Sequence, residues 1–294
     1  MRVVQAKNFT IFVGMVRRLE RTWHSGLREA VRFLAWGASI ALVCFLLYRV
    51  TMNGNRTHLL CPMSGAARDS LMAVAVPTGV ADTLVGYDAF AVHFNPQWGI
   101  ANCTAYEMTR AMLDGDAQRA DGFMRDASVA GCPEADAYAG SGLHRGHLVP
   151  ASDMKGDEQA MRQTFFMTNI CPMSASLNTG GWAKLEEKVR EWTARDSALL
   201  VFAGPVVSAS DTTLAGSRVR VPGHYYKVVM APCVRPVRAI AFIYPNGASG
   251  GRLSKYAVSV DEVERLTGLD FFGLLPQDEQ QRTESVCNLD AWLN

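Results

Sequence analysis

Three short segments combine a base, a cation and an amide at close spacing, and they constrain this chain more than any other feature. They read His144-Arg145-Gly146-His147, Thr168-Asn169-Ile170-Cys171-Pro172 and Asn178-Thr179-Gly180-Gly181-Trp182. A histidine with a near-neutral pKa accepts a proton from water, a guanidinium holds a phosphate, and an amide oxygen binds a hard divalent cation. Together they indicate a metal-dependent phosphodiesterase site.

These segments follow the order of a known family signature. The signature reads D-R-G-H, then T-N or S-N, then P-Q, then L-N-x-x-x-W-x-x-L-E, and the segments here are HRGH, TNICPM and LNTGGWAKLEE. Two positions differ, because His144 replaces the aspartate and Met173 replaces the glutamine. Residues 144–192 thus resemble the DNA/RNA non-specific endonuclease family, the ββα-metal nucleases of the Serratia and endonuclease G types. Weaker likeness covers most of the chain after residue 80.

The resemblance implies a fold and a reaction. The expected fold is α+β, the ββα-metal nuclease fold with a central antiparallel sheet. The expected activity is sugar-non-specific hydrolysis of phosphodiester bonds in DNA and RNA, with Mg²⁺ as cofactor and Mn²⁺ as its substitute. His147 is expected to act as the general base and Asn178 to hold the metal. For Asn178, a helix N-cap is the structural alternative.

The resemblance places three further residues at the site. Glu186, eight residues after Asn178, matches the acid with which the family holds water on the metal, whereas Glu187 is expected to face solvent. Arg145 is expected to bind phosphate bidentately, with a surface salt bridge as the alternative. Asn169 matches a position that helps to arrange the site, with a turn-closing role as the alternative.

His144 stands where the family has an acid. With His147 it forms an H-x-x-H pair, which is a weak zinc signal because no third ligand follows at a motif spacing. We interpret His144 as a substitution at the rim of the site that tunes pH dependence or phosphate contact.

The first 50 residues differ in composition from the rest. They hold eight Lys and Arg against two acids, so the totals of 29 bases and 28 acids leave 21 bases against 26 acids beyond them. Residues 33–48 carry no charge, and arginines flank this run. We expect a basic cytoplasmic segment (1–32), a transmembrane signal anchor (33–50), a linker (51–80) and the endonuclease domain (81–294).

The same features bear on the compartment. The arginine excess before the apolar run predicts that the catalytic domain lies outside the cytoplasm, in the bacterial periplasm or at the cell surface. An Arg-rich leader with few acids is also typical of a mitochondrial presequence, which leaves the inner membrane or intermembrane space as the alternative. Six cysteines beyond the run fit three disulfides, with buried thiols as the alternative.

Hydrophobic patterns predict the elements around the motifs. Trp182, Leu185, Val189 and Trp192 recur at three- and four-residue intervals, which predicts an amphipathic helix. Residues 157–162 are typical of a short helical turn. Strands are predicted at residues 89–94, 164–167, 198–203, 225–230 and 239–244.

Because acids exceed bases beyond residue 50, affinity for DNA and RNA would depend on a local basic groove and a bound cation. The leading hypothesis is therefore a membrane-tethered nuclease with little base preference. The alternative is a catalytically weakened nucleic-acid-binding or adaptor protein on the same fold, and a third hypothesis is a hydrolase of small phosphodiesters. Related nucleases often pair, so a homodimer is also among the expected partners.

Overall fold

Apolar segments of the chain pair into a seven-stranded antiparallel sheet, as the sequence predicts for an α+β domain. The computed structural model describes residues 65–293. Seven strands join in the order β12-β11-β10-β7-β4-β3-β2. The strands are β1 (Val74–Ala75), β2 (Thr83–Gly86), β3 (Phe90–Asn95), β4 (Ile100–Thr109), β5 (His144–His147), β6 (Ile170–Met173), β7 (Ala198–Val206), β8 (Thr212–Thr213), β9 (Arg220–Val221), β10 (His224–Ala231), β11 (Arg238–Pro245), β12 (Ala257–Val258) and β13 (Asp270–Phe271).

Strand β7 is covered on both faces. It pairs with β10 on one side and β4 on the other. Leu199 and Val201 join one hydrophobic cluster, while Leu200 and Phe202 join a second cluster. Successive side chains of a strand point to opposite faces, so a strand buried on both faces needs a continuous apolar run. This explains the predicted strand at residues 198–203, which is confirmed together with those at 225–230 and 239–244.

Helices cover both faces of the sheet. They are α1 (Gly65–Met72), α2 (Arg110–Leu113), α3 (Glu158–Gln163), α4 (Trp182–Asp196), α5 (Val260–Thr267), α6 (Gln277–Glu284) and α7 (Asp290–Leu293). The helical turn predicted at residues 157–162 corresponds to α3. Asp157 caps this helix, because its carboxylate accepts a hydrogen bond from the Ala160 amide.

The amphipathic helix predicted from residue 182 is confirmed as α4. Its four periodic apolar residues are buried, and Glu187 is exposed. Trp192 packs 4.9 Å from the Trp292 ring and 6.0 Å from the Phe242 ring, measured between centroids. Each large side chain buried in this way contributes about 1.5–3 kcal/mol of hydrophobic stabilisation. The helix is therefore fixed firmly against the sheet.

The strand predicted at residues 164–167 is wrong. The amides of Thr164, Phe165 and Phe166 bond back to carbonyls three or four residues earlier, so the turns of α3 continue. A 3-10 turn over Met167–Asn169 then leads into β6. Phe165 and Met167 are buried as the pattern suggested. A short apolar run signals burial in a helical turn as well as in a strand, which explains the error.

Ordered structure begins earlier than the predicted domain start at residue 81. Helix α1 and strand β1 lie within the stretch expected to be a linker. Val74 pairs with Phe271 of β13 and is buried in the second hydrophobic cluster. This pairing ties residues 74–75 to the C-terminal part of the domain.

The predicted membrane anchor at residues 33–50 lies outside the described residues. Within residues 65–293, no helix combines the length and the apolar character needed to cross a bilayer.

The expectation of three disulfides is wrong. Among the described cysteines, Cys103, Cys132, Cys171 and Cys287 are free thiols, whereas Cys233 is disulfide-bonded. Cys103 belongs to the second hydrophobic cluster and Cys171 to the first. Burial raises the pKa of Cys103 to about 12 and that of Cys171 higher still. These two thiols are therefore inert packing groups.

A π-helical turn, Leu177–Gly181, leads into α4. The Gly181 amide donates to Ser249 Oγ at 3.1 Å. A Cβ at Gly181 would lie 2.7 Å from Tyr244 Cε1 and 2.8 Å from the Ser249 carbonyl oxygen. The absence of a side chain at this position therefore allows the turn to pack against β11 and the loop that follows it.

We expect Gly181→Ala to lower the free energy of unfolding by about 1–3 kcal/mol, because the added methyl overpacks this contact. Gly180→Ala is the matched control. Its Cβ would meet only Ser249 Oγ, at 3.7 Å, so its stability should equal or exceed that of the wild type. Urea unfolding of both variants measures the difference, and equal stabilities would contradict the close packing of this turn.

Candidate active site

Strands β5 and β6 form a two-stranded ladder that carries the HRGH segment. Arg145 pairs with Pro172 and His147 pairs with Ile170. After His147 the chain continues through buried Leu148 and Val149 and breaks at proline. The two strands and the following helix α4 form a ββα unit, with His147 at the end of its first strand, as predicted.

Asn169 fixes the backbone immediately after His147. Its Oδ1 accepts a hydrogen bond from the Val149 amide, and its Nδ2 donates to the carbonyl oxygens of Val149 and Thr164, each at 2.9 Å. The side chain is fully buried. Both amide protons are used by the backbone, so Asn169 positions the loop and has no donor left for a substrate.

Two other side chains satisfy backbone oxygens of the same segment. Trp182 Nε1 donates to the His147 carbonyl at 3.1 Å. Lys227, fully buried on β10, places Nζ 3.4 Å from the Leu148 carbonyl and 4.6 Å from the centre of the Trp182 ring. Lys227 was not predicted at the site, because only the fold brings β10 next to β5.

The His147 imidazole lies in an apolar setting. Its centroid is 4.9 Å from that of Phe165 and 5.4 Å from that of Phe123. Nε2 is buried and has no hydrogen-bond partner in the described part of the chain. Burial, together with the charge of Arg119, lowers the pKa of His147 to about 3. The ring is therefore neutral near pH 7, with a nitrogen available to a bound molecule.

Arg119 is a further residue of the site. Its guanidinium lies 4.9 Å from the centre of the Phe165 ring, which also contacts His147. No motif marks Arg119, since it lies in the long connection between α2 and β5. Its place beside the imidazole follows from the three-dimensional fold alone.

Arg145 lies on the same side of the site as His147. Its Nε and Nη2 donate to the Ala135 carbonyl oxygen at 2.9 and 2.7 Å, and its guanidinium carbon is 5.4 Å from the centre of the Phe123 ring. Arg145 forms no ion pair with any of residues 65–293, so the surface salt bridge that was its alternative is not formed there. One edge of the guanidinium is thus committed to the backbone, which leaves Nη1 and part of Nη2 for an anion.

Asn178 lies in the π-helical turn and contacts His144. Its Nδ2 is 3.2 Å from His144 Nδ1, at the opposite end of β5 from His147. The turn itself precedes α4, so Asn178 is not the N-cap that was its structural alternative. No described residue donates a hydrogen bond to Asn178 Oδ1, which leaves this oxygen available as a ligand.

Glu186 lies on α4, one turn after Trp182. Burial and the charge of Asp153 raise its pKa to about 7, against the lowering effects of Lys227, Arg190 and a hydrogen bond with Trp182. The carboxylate is thus next to the indole that binds the His147 carbonyl. A bound cation would favour its ionised form.

Asp153 and its neighbours complete this buried electrostatic group. Asp153 accepts hydrogen bonds from Arg190 Nη1 at 2.9 Å and from Tyr106 Oη at 2.8 Å. Burial lowers the pKa of Lys227, while Glu186 and Asp153 oppose that shift. Positive and negative groups are therefore interleaved beneath the site.

The lowered pKa of His147 makes a testable contribution to stability. Between its ordinary pKa of 6.5 and its folded-state value of about 3, the unfolded chain binds a proton that the native chain does not. Stability should fall as the pH falls through this window, by up to about 1.4 kcal/mol per pH unit from this group. His147→Gln should show a correspondingly shallower pH dependence in urea unfolding. Identical slopes for wild type and His147→Gln would contradict the assignment.

Comparison with known proteins is consistent with this geometry. The family model for DNA/RNA non-specific endonucleases matches residues 68–278. The chain is 30% identical over 287 residues to "Nuclease EXOG, mitochondrial" of Danio rerio, which covers 89% of this chain and 80% of the relative. It is 31% identical over 215 residues to the nuclease of the same name from Mus musculus, covering 67% of this chain and 56% of the relative.

A solved structure shares the fold. A chain from the crystal structure of the EndoG/EndoGI complex aligns with a TM-score of 0.65 at 21% identity, over 74% of this chain and 96% of that chain. This likeness supports the α+β architecture with its central antiparallel sheet. Taken with the family match and the EXOG relatives, it leads to one conclusion: the chain belongs to the DNA/RNA non-specific endonuclease family and is an endonuclease, a phosphodiester hydrolase.

Proposed function

We propose that the protein is a Mg²⁺-dependent endonuclease that hydrolyses both DNA and RNA, with His147 as the general base. The observation that carries this proposal is the buried, unpartnered Nε2 of a neutral imidazole beside a cation, Arg119. A polar nitrogen without a partner in an apolar setting is costly, so a bound water or substrate oxygen would stabilise it.

The low pKa of His147 applies to the protein without substrate. A bound phosphate brings negative charge near the ring, and an opposite charge favours the protonated imidazole. Substrate binding should therefore raise the pKa of His147 toward neutrality, where an imidazole is an effective general base. Arg119 would then hold a non-bridging phosphate oxygen, and so would the uncommitted Nη1 of Arg145.

Asn178 and Glu186 each carry an oxygen that suits a hard cation. The Asn178 Nδ2 is engaged by His144, so its Oδ1 is the atom free to act as ligand. Glu186 offers a carboxylate whose ionised form a cation would favour, and a single amide ligand suits Mg²⁺, which retains several waters. When bound, the metal would neutralise charge on the scissile phosphate. All these groups address phosphate and metal, so we propose little base preference.

We expect the purified full chain to degrade plasmid DNA and RNA with Mg²⁺ and to stop when a chelator is added. His147→Ala should lower the cleavage rate by about 10²–10⁴-fold, because the general base is lost. Asn178→Ala should lower it strongly and raise the Mg²⁺ requirement. His224→Ala removes an exposed histidine from β10 and should cleave like wild type.

Two results of this assay would favour other hypotheses. Binding of nucleic acid without cleavage, unchanged by His147→Ala, would favour the adaptor alternative and contradict the proposed mechanism. Faster turnover of a dinucleotide than of a long duplex would favour a hydrolase of small phosphodiesters.

His144 has a specific role in this proposal: it orients the amide of the metal ligand. We expect His144→Leu to weaken Mn²⁺ binding by roughly 10–100-fold, because Asn178 Nδ2 loses its acceptor. His144→Asp keeps an acceptor and should stay close to wild type. Electron paramagnetic resonance titration with Mn²⁺ measures the affinity, with Asn178→Ala defining Mn²⁺ bound elsewhere. Wild-type affinity in His144→Leu would contradict this role.

For the compartment, we propose a mitochondrial location with residues 33–50 as the membrane anchor. The EXOG relatives carry the word mitochondrial in their names, and the leader of this chain is rich in arginine and poor in acids. This agrees with the alternative from the sequence and takes the place of the bacterial periplasm as our preferred compartment. A homodimer stays a prediction.

A further inference from the structure

Three carboxylates meet on the face of the sheet opposite the active site. Asp261 and Glu264 lie on α5, and Glu284 ends α6; one oxygen from each lies within 4.8 Å of the other two. Helix α5 packs into the second hydrophobic cluster through Val260 and Val263. Leu148 and Trp182, at the active site, belong to the first cluster. The carboxylates are thus separate from the nuclease site.

Glu284 is the buried member of this cluster, and one of its carboxylate oxygens lacks a hydrogen-bond partner in the part of the chain that the structure describes. Glu284 is 5% exposed, and its Oε1 is buried with no hydrogen-bond partner among residues 65–293. Burial and the charge of Glu264 raise its pKa to about 8, against the effect of a hydrogen bond with Gln280. A buried carboxylate next to other carboxylates is unfavourable unless a cation or a proton compensates it.

Within residues 65–293, no lysine or arginine forms an ion pair with any of these three carboxylates. Arg265, the basic residue of α5, pairs with Glu262 through two hydrogen bonds instead. Glu264 Oε1 accepts the Phe271 amide at 2.8 Å, which leaves its second oxygen available. Asp261 is exposed, Glu264 is half-buried and Glu284 is buried. A cation could therefore enter from solvent at Asp261 and reach Glu284.

We propose that Asp261, Glu264 and Glu284 bind a Ca²⁺ ion that links α5 to α6. The donor set consists of carboxylate oxygens alone, which are the ligands of hard cations. Three flexible carboxylates suit Ca²⁺, whereas Mg²⁺ demands strict octahedral geometry and keeps more of its water. The ion would replace repulsion between two helices by attraction, and it would stabilise the domain from the face opposite the active site.

Thermal unfolding of the full chain with and without Ca²⁺ tests this proposal. Wild type should gain about 5 °C in Tm at a Ca²⁺ concentration of about 100 times Kd. Glu284→Gln and Asp261→Asn should lose this gain. Two control variants should keep it: Asp278→Asn, which removes an exposed acid from α6, and Asn178→Ala, which removes the proposed Mg²⁺ ligand.

Each of the following results would overturn the proposal. Ca²⁺ could leave the Tm of wild type unchanged, which would mean that a proton compensates Glu284. The gain in Tm could persist in both Glu284→Gln and Asp261→Asn. Alternatively, it could be lost only in Asn178→Ala. Either result would place Ca²⁺ at another site. An equal gain with Mg²⁺ would overturn the assignment to Ca²⁺. Asp261 is exposed, so its variant is expected to fold and keeps the test decisive. Nuclease activity of the Asp261→Asn variant in Mg²⁺ should match wild type.

Discussion

The site depends on the backbone between His147 and Val149 being held from several directions at once. Asn169 binds both polar groups of Val149, Trp182 binds the His147 carbonyl, and Lys227 binds the Leu148 carbonyl. A buried backbone group left without a partner costs about 1–3 kcal/mol, so these side chains determine one conformation of the segment. The position of the His147 imidazole is well defined because these hydrogen bonds hold its backbone in one conformation.

The same burial that fixes the site also sets its electrostatics. The imidazole of His147 is kept neutral by aromatic neighbours and Arg119, and the pKa of the Glu186 carboxyl is raised by burial and Asp153. In the protein without substrate, the pKa shift of each residue therefore favours its neutral form. Phosphate favours the protonated imidazole and a metal favours the ionised carboxylate, so substrate and cation would each supply the charge that the site lacks.

The sequence predicts those elements whose hydrophobic pattern follows directly from which faces are buried. The apolar spacing of α4 and the continuous apolar run of β7 follow from burial on one face and on two faces. The run at 164–167 predicts a strand but forms helical turns, because hydrophobicity alone does not distinguish a buried strand from a helical turn. Arg119 and Lys227 were missed because tertiary contacts, and no local pattern, bring them to His147. An even number of cysteines says nothing about which face of the sheet each one occupies.

We propose that Asn178 and His147 serve one cation-assisted hydrolytic site. Anomalous diffraction from crystals of the protein grown with Mn²⁺ tests this proposal, because it locates the metal without assuming a mechanism. We expect an anomalous peak within coordination distance of Asn178 Oδ1 and close to Glu186 and the His147 ring. Density for Mn²⁺ only at other residues, or an Asn178 amide turned away from the metal, would contradict it.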